Sequence, residues 1–384
     1  MAVFKDCVDI CIVLILYGII MLDIKGGAIM NPIDTILNEI FNLGPRAESI
    51  IYHTLEERKS INGMIADVTN EIKGNRFSRG KCCPHCESEA VCRYGKYNGK
   101  QRYRCNGCNR TFTDFTNSPC YNSKKPLNTW IQYIKCMILG YSLKKCSQEL
   151  GISVPTAFYW RHKVMDAIRK YIGVGSVEGI VEIDDTYFRE NFKGWHTEDS
   201  VFKMPRTAYK RGVKQDTTKE KPKTEKRKRG LSADQISVMC AIDRLGNLII
   251  EPISKGNVGF EAISKLFDNR IDENAIACVD AAKGFIKFAN TADIETIQLP
   301  KNKRKAGISH IQHVNSLHNR IKSWMAKFRG VATKYLADYM SWFKWEEFFK
   351  NDKDIIRCRN LMVQSHTTHI DSKVHDFVNR SVTY

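Results

Sequence analysis

Along the chain, apolar positions change period several times, and each change predicts a different kind of element. From Pro32 to Lys73 they recur at helical spacing, as in Ile33, Ile36, Leu37, Ile40 and Phe41, which predicts a helical lead-in. From Lys81 to Cys120 the period disappears into cysteines, glycines and aromatics. A helical block returns from Leu127 to Ile172. After Gly173 short β-rich runs take over at Gly179–Asp184, Gln235–Ile242, Leu248–Glu251 and Ala275–Asp280, with helical stretches at Gly259–Phe267 and Val314–Phe328. Strands mixed with helices in one segment predict a layered α/β domain.

Two stretches fall outside this pattern. Ile10–Leu22 is almost wholly apolar, but it is bracketed by Asp9 and Asp23 and is shorter than the ~20 residues a membrane span needs. As a signal peptide it has only Lys5 upstream and a poor cleavage site at Lys25-Gly26-Gly27. Those three residues can instead be encoded by a bacterial ribosome-binding sequence, with Met30 at a suitable distance. Residues 1–29 are therefore expected to be upstream sequence, with translation starting at Met30. The second stretch, Lys210–Arg229, is dense in Lys and Arg and has no apolar period. It reads either as a solvated loop between strands or as an arm that contacts phosphates. The expected organisation is a lead-in over 30–80, a cysteine-rich module over 81–120 and a helical module over 124–172. An α/β domain follows over 173–350 with a basic insert at 203–230, and a tail occupies 351–384.

Charge narrows the partner. Lys and Arg total 60 against 42 Asp and Glu, a formal net charge of +18, which points to a polyanion such as nucleic acid. The 14 cysteines do not suggest secretion, because two C-x-x-C pairs form a metal pattern and the others are scattered; a reducing cytoplasm fits. Cys83-Pro-His-Cys86 and Cys105-Asn-Gly-Cys108 are two knuckles separated by 18 residues, and together they complete a tetrahedral sulfur shell for Zn2+. Tyr94, Tyr97, Tyr103 and Phe112 are placed to cover a small sheet. Arg102, Arg104 and Arg110 stand among them as candidate DNA contacts.

Ser142 to Thr156 has the cadence of two short helices around a glycine turn. Leu143, Cys146 and Leu150 form an apolar face, Gly151 fits a C-terminal cap, and Ser153 caps a second helix that tolerates Pro155 in its first turn. As a helix-turn-helix, the second helix would present Thr156, Tyr159, Arg161, His162 and Lys163 to the major groove. A plain helical hairpin is the alternative.

The chemistry centres on two apolar strands that end in acids, Val181-Glu-Ile-Asp184 and Ala277-Cys-Val-Asp280. Carboxylates on neighbouring strand ends can hold two Mg2+ or Mn2+ ions and leave sites open for phosphate oxygens. Either Asp alone could equally be a turn residue. Downstream, Val314, Leu317, Ile321, Trp324 and Phe328 predict one buried helical stripe, with Asn315, His318 and Lys322 on an adjacent polar face.

These motifs together resemble the zinc-ribbon group of DDE-type insertion-sequence transposases. The resemblance rests on Glu182-Ile-Asp-Asp-Thr-Tyr187, Val279-Asp280, His313-Val-Asn315-Ser-Leu-His318, Gly330-Val-Ala-Thr-Lys-Tyr-Leu336, Trp342-Phe-Lys-Trp345 and Tyr103-Arg-Cys-Asn-Gly-Cys108 with Arg110-Thr-Phe112. It implies a ribonuclease-H-like core, a mixed sheet flanked by helices, preceded by a zinc ribbon and a helix-turn-helix. It also implies divalent-metal strand cleavage and transfer on terminal inverted repeats and target DNA, by a homo-oligomer. Asp184 and Asp280 become the first two acids, and Cys83, Cys86, Cys105 and Cys108 the zinc ligands. The chain departs from the pattern at His318, which stands where a glutamate is expected. His318 could ligate metal, bind the scissile phosphate or carry a proton, with Asn315 completing the site, Lys322 steadying phosphate charge, and Glu346 or Glu347 as substitutes for the missing acid. The rival function is a DNA-binding regulator, a domesticated transposase without chemistry.

Overall fold

The computed structural model describes residues 49, 63–97, 100–194, 235–279, 283–298, 305–306, 309–310 and 311–382. The proposed upstream segment 1–29, the basic insert 203–230 and Asp280 lie outside them. The chain divides into two compact units, Met1–Asp67 and Val68–Tyr384. Of the first, residues 49 and 63–67 are described, and they are helical. All that follows concerns the second. Among the described residues, no helix is long and apolar enough to cross a membrane.

The cysteine-rich segment forms a three-stranded antiparallel sheet, β1 (Val91–Tyr97), β2 (Lys100–Cys105) and β3 (Thr111–Thr113), in the order β1-β2-β3. Its own core is small: Cys83, Cys105 and Phe112 are buried, with Phe77, Val91 and Tyr103 packed against them. Lys81 binds Asp114 at 3.0 Å and lies over the Tyr103 ring. Arg76 donates to the carbonyls of Thr116 and His366.

Three helices follow: α1 (Leu127–Ile138), α2 (Leu143–Leu150) and α3 (Val154–Ile172). The expected caps form. Ser142 accepts from the Lys145 N–H, Gly151 ends α2 in the left-handed conformation at φ 58°, and Ser153 accepts from the Thr156 N–H. These bonds satisfy donors that a helix end otherwise leaves orphaned. The Trp130 ring of α1 stacks on Trp160 of α3, with centroids 3.8 Å apart.

The α/β domain is a five-stranded mixed sheet, built from β4 (Ile180–Arg189), β5 (Gln235–Asp243), β6 (Leu248–Lys255), β7 (Ile276–Val279) and β8 (Glu295–Gln298), in the order β6-β5-β4-β7-β8. The first three strands are antiparallel, and β7 and β8 run parallel to β4. This is the ribonuclease-H-like arrangement. Strand period two gives β4 two distinct faces. Val181 and Ile183 join Met239, Ala241, Ala277 and Val279 in a core against α4 (Phe260–Phe267) and α5 (Lys283–Thr291). Glu182, Asp184 and Thr186 turn to the opposite face, which α6 (Gln312–Ala326) covers. Two short strands, β9 (Lys305–Ala306) and β10 (Ser309–His310), pair just before α6.

Beyond α6, helix α7 (Leu336–Phe348), buried from Leu336 to Trp345, packs between α3 and β6 and ties the helical module to the sheet. The stretch read from sequence as a tail forms α8 (Asp354–Thr367) and α9 (Val374–Val378). α8 packs on α1 and α3, and Phe377 of α9 is fully buried against His162.

Candidate functional site

The four ribbon cysteines converge. Their sulfurs lie within 4.8 Å of one another, with Cys83–Cys108 and Cys86–Cys105 each at 3.6 Å. Thiolates about 2.3 Å from a central zinc stand about 3.8 Å apart on the edges of a tetrahedron, so the spacing suits that ion. The N–H groups of His85 and Cys108 point at the sulfurs of Cys83 and Cys105, both at 3.5 Å, which would moderate thiolate charge. The sheet aromatics divide between two faces. Tyr103 and Phe112 stack inward at 5.4 Å, whereas Tyr94 and Tyr97 are exposed. Arg102 and Arg104 lie over the Tyr94 ring, and Arg110 is exposed at the strand turn. This outer face is cationic and aromatic.

On α3, the candidate readers separate. Thr156, Tyr159 and Lys163 are partly exposed. Arg161 and His162 are not, each being 1% exposed. Arg161 donates to the Tyr141 carbonyl at 2.6 Å and packs over Phe328 and Trp342. His162 lies among Phe158, Tyr335 and Phe377, beside Asp338. With these partners neither side chain can reach a DNA groove. The helical-face reading missed this because α3 is packed on several sides.

The acidic strand end lies against α6. His318 is 7% exposed, and its Nδ1 is 3.8 Å from Asp184 Oδ2. Burial, reinforced by the Lys322 ammonium, pushes the His318 imidazole down to about 4, so the ring is neutral at neutral pH. Its Nε2 is buried with no hydrogen-bond partner. Two donors on one cation, each at roughly 2.0–2.2 Å, stand roughly 3–4.3 Å apart, so the Asp184–His318 separation fits a shared ion. Asp185 faces the other way and accepts from Tyr187 Oη and from Ser237 Oγ at 3.2 Å. Asn315 is exposed and donates to the Ile311 carbonyl at 2.8 Å, and Lys322 is exposed one turn beyond His318. The parallel pairing of β4 with β7 sets Ile183 beside Val279. In sequence, Asp184 follows Ile183 and Asp280 follows Val279.

The apolar stripe of α6 differs slightly from the reading. Val314, Leu317 and Ile321 are buried as expected, but Met325 continues the line. Trp324 and Phe328 are half-buried and pack against Tyr339 and Trp342 of α7. Glu346 and Glu347 are held elsewhere, by Arg357 and Arg320 respectively.

Glu182 gathers a cluster that motif reading left unassigned. Its carboxylate, 1% exposed, accepts from the N–H of His313 at 2.8 Å and of Val314 at 3.1 Å. Arg244 Nη1 lies 2.6 Å from it, with the Nδ1 atoms of His313 and His310 at 2.7 and 3.0 Å. The signal was present in the strand period, which puts residues 182 and 184 on one face. A separate open groove of about 760 Å3 beside α3 and α9 has none of these residues in its lining. Its arginines are already paired, Arg169 with Glu251 and Asp338, and Arg380 with Asp166 and Asp338.

A ribonuclease-H-like sheet joined to a four-cysteine ribbon defines the class of this protein. Residues 176–347 match the ISXO2-like transposase domain. The protein in transposable element ISH50 of Halobacterium salinarum is 34% identical over 123 residues, covering 31% of this chain and 40% of that relative. The chain thus spans about two-fifths of that relative's length. A solved pre-cleavage Mos1 transpososome aligns over 63% of this chain and 79% of its own at 10% identity and a TM-score of 0.19. That likeness is too slight to carry an argument.

Proposed function

We propose that this protein binds the terminal inverted repeats of an insertion sequence and catalyses strand cleavage and strand transfer, as a homo-oligomer on DNA. The observation that carries the reading is the β4–β7 register, which sets Val279 beside Ile183; Asp280 and Asp184 are the residues that follow these two in sequence. Asp184, Asp280 and His318 are the groups that would hold Mg2+ or Mn2+, with Asn315 at the rim. When bound, two such ions supply charge stabilisation for an in-line displacement at phosphorus and lower the pKa of the attacking hydroxyl. His318, neutral and buried, offers a nitrogen lone pair in place of a third carboxylate. Lys322, exposed on the same helix, would steady phosphate charge. Water attack on the phosphodiester at the element end breaks its P–O3′ bond and frees a 3′-hydroxyl, and that hydroxyl then attacks a target phosphodiester, forming a new P–O bond as the target strand's own 3′-hydroxyl leaves.

End recognition is assigned to the zinc ribbon (81–120) and the helix-turn-helix (124–172), and chemistry to 173–350. Arg102, Arg104 and Arg110 on the ribbon, with Thr156, Tyr159 and Lys163 on α3, are the proposed DNA contacts. The four-cysteine cluster would hold structural Zn2+.

The test is a cleavage and joining assay on duplexes carrying the element ends, with Mg2+ or Mn2+. Asp184→Ala and Asp280→Ala should each lower cleavage about a thousandfold, equivalent to about 4 kcal/mol of barrier, and leave end binding within about twofold. Equal loss of binding would make the aspartates structural. Tight end binding without cleavage in either metal would favour the DNA-binding regulator.

A further inference from the structure

Helix α6 carries His318, yet the only local side chain that accepts from its first turn among the described residues is His310, whose Nδ1 lies 3.4 Å from the Gln312 N–H. Its N-cap residue is Ile311, which makes no side-chain cap, and there is no acid in that turn. A helix start needs acceptors for its free N–H groups and favours negative charge there. Both are supplied from across the sheet by Glu182, through the N–H groups of His313 and Val314. We infer that Glu182 is a positioning residue, clamping the first turn of α6 so that His318 meets Asp184. The inference rests on the proposed role of Asp184 and His318.

The geometry pairs two levels of the helix with two levels of the strand. His313 meets Glu182, and five residues later His318 meets Asp184, two residues further along β4. Five helical residues rise about 7.5 Å, and two strand residues rise about 6.6 Å. The two elements therefore run alongside one another nearly in step, and contact at the first level fixes contact at the second. A slip of one helical turn, about 5.4 Å, would carry His318 away from Asp184. Arg244, from the turn between β5 and β6, holds the same carboxylate at 2.6 Å and also meets His313 Nδ1. Glu182 is thus held from one side by an arginine while it holds the helix on the other.

Glu182, His310 and His313 also present three possible ligand atoms within 4.8 Å of one another. Arg244 already occupies the approach to the shared oxygen, and a divalent ion there would have to displace a cation of the same sign. The cluster is assigned to the clamp for that reason.

The experiment uses the full chain with element-end DNA and compares Glu182→Ala, Glu182→Gln and Asp184→Ala. Groups that orient metal ligands are typically worth 10–100-fold in metal affinity or activity. Glu182→Ala should therefore slow single-turnover cleavage by about 10–100-fold and raise the Mn2+ needed for half-maximal rate by about tenfold. End binding should stay within about twofold of wild type. Glu182→Gln keeps an acceptor for the N–H groups and should recover most of the rate, and it also serves if the alanine variant fails to fold. Wild-type rate and Mn2+ dependence in Glu182→Ala, with Asp184→Ala inactive, would overturn the clamp alone. An active Asp184→Ala would overturn the reading of the site itself. A lowered melting temperature with unchanged Mn2+ dependence, or loss of one bound metal equivalent per chain on Glu182→Ala at Mn2+ concentrations that saturate the Asp184 site, would also overturn the clamp.

Discussion

Stripping the metal from the four-cysteine cluster should unfold the ribbon tip and leave its foot in place. The ribbon's own apolar cluster consists of Cys83, Cys105 and Phe112, with four partly buried neighbours. Burying a phenylalanine side chain contributes about 1.5–3 kcal/mol. A structural zinc in a thiolate shell contributes about 10–16 kcal/mol at neutral pH. A metal term of that size is several times the apolar one, so β1, β2 and β3 should depend on it. The foot does not. Asp114 is bound by Lys73 at 3.5 Å and Lys81 at 3.0 Å, and Arg76 is bonded to the carbonyls of Thr116 and His366, none of which involves sulfur. Hydrogen exchange read by mass spectrometry before and after chelation should show protection lost over 91–113 and retained over α1 and α3. Cys105→Ser should reproduce that pattern, and end-DNA affinity should fall with it. Protected ribbon strands in metal-free protein would refute the reasoning, as would unfolding that spread through α1 and α3 as one unit.

Three further outcomes follow from the packing of the helical module. Arg161→Ala should destabilise the protein by about 3 kcal/mol, because it orphans buried acceptors and leaves a gap beneath Trp342. Denaturant unfolding measures this, and a selective loss of DNA affinity at unchanged stability would restore Arg161 as a reader. His366 is fully buried, and burial pushes its imidazole down to about 3, below its unfolded value of about 6.5. The folded state therefore binds fewer protons, so this contribution is intact above about pH 6.5 and is lost as pH falls through 6.5 to 3, with a slope of at most about 1.4 kcal/mol per pH unit. The stability difference between wild type and His366→Gln should shrink across that window, and a difference independent of pH would count against it. Phe377→Ala should cost about 3–5 kcal/mol and expose the segment beyond Ile370 to protease; unchanged proteolysis would show that α9 is not anchored there.

What the sequence revealed, and what it hid, follows from how local each signal is. The caps at Ser142, Gly151 and Ser153 form as read because a cap depends on residues within one turn. The thiolate cluster is equally local within each knuckle, so its spacing sufficed. Strands β4 to β7 were legible as apolar runs with β-branched residues. β8, with the sequence Glu-Thr-Ile-Gln, is a short edge strand with too little apolar patterning to announce itself. The burial of Arg161 and His162 was hidden because it depends on α7 and α9, which arrive more than 150 residues later in the chain. Glu182 was hidden for the same reason: its partners Arg244, His310 and His313 meet it only through the sheet topology. His318 could be picked out by motif, but its approach to Asp184 depends on how α6 lies along β4.

The most direct measurement is the anomalous signal of Mn2+ in crystals of the protein bound to its element-end DNA. The account predicts manganese within about 2.3 Å of a carboxylate oxygen from both Asp184 and Asp280, with His318 beside it. Manganese found only among Glu182, His310 and His313, or side chains at 184 and 280 too far apart to share an ion, would contradict it.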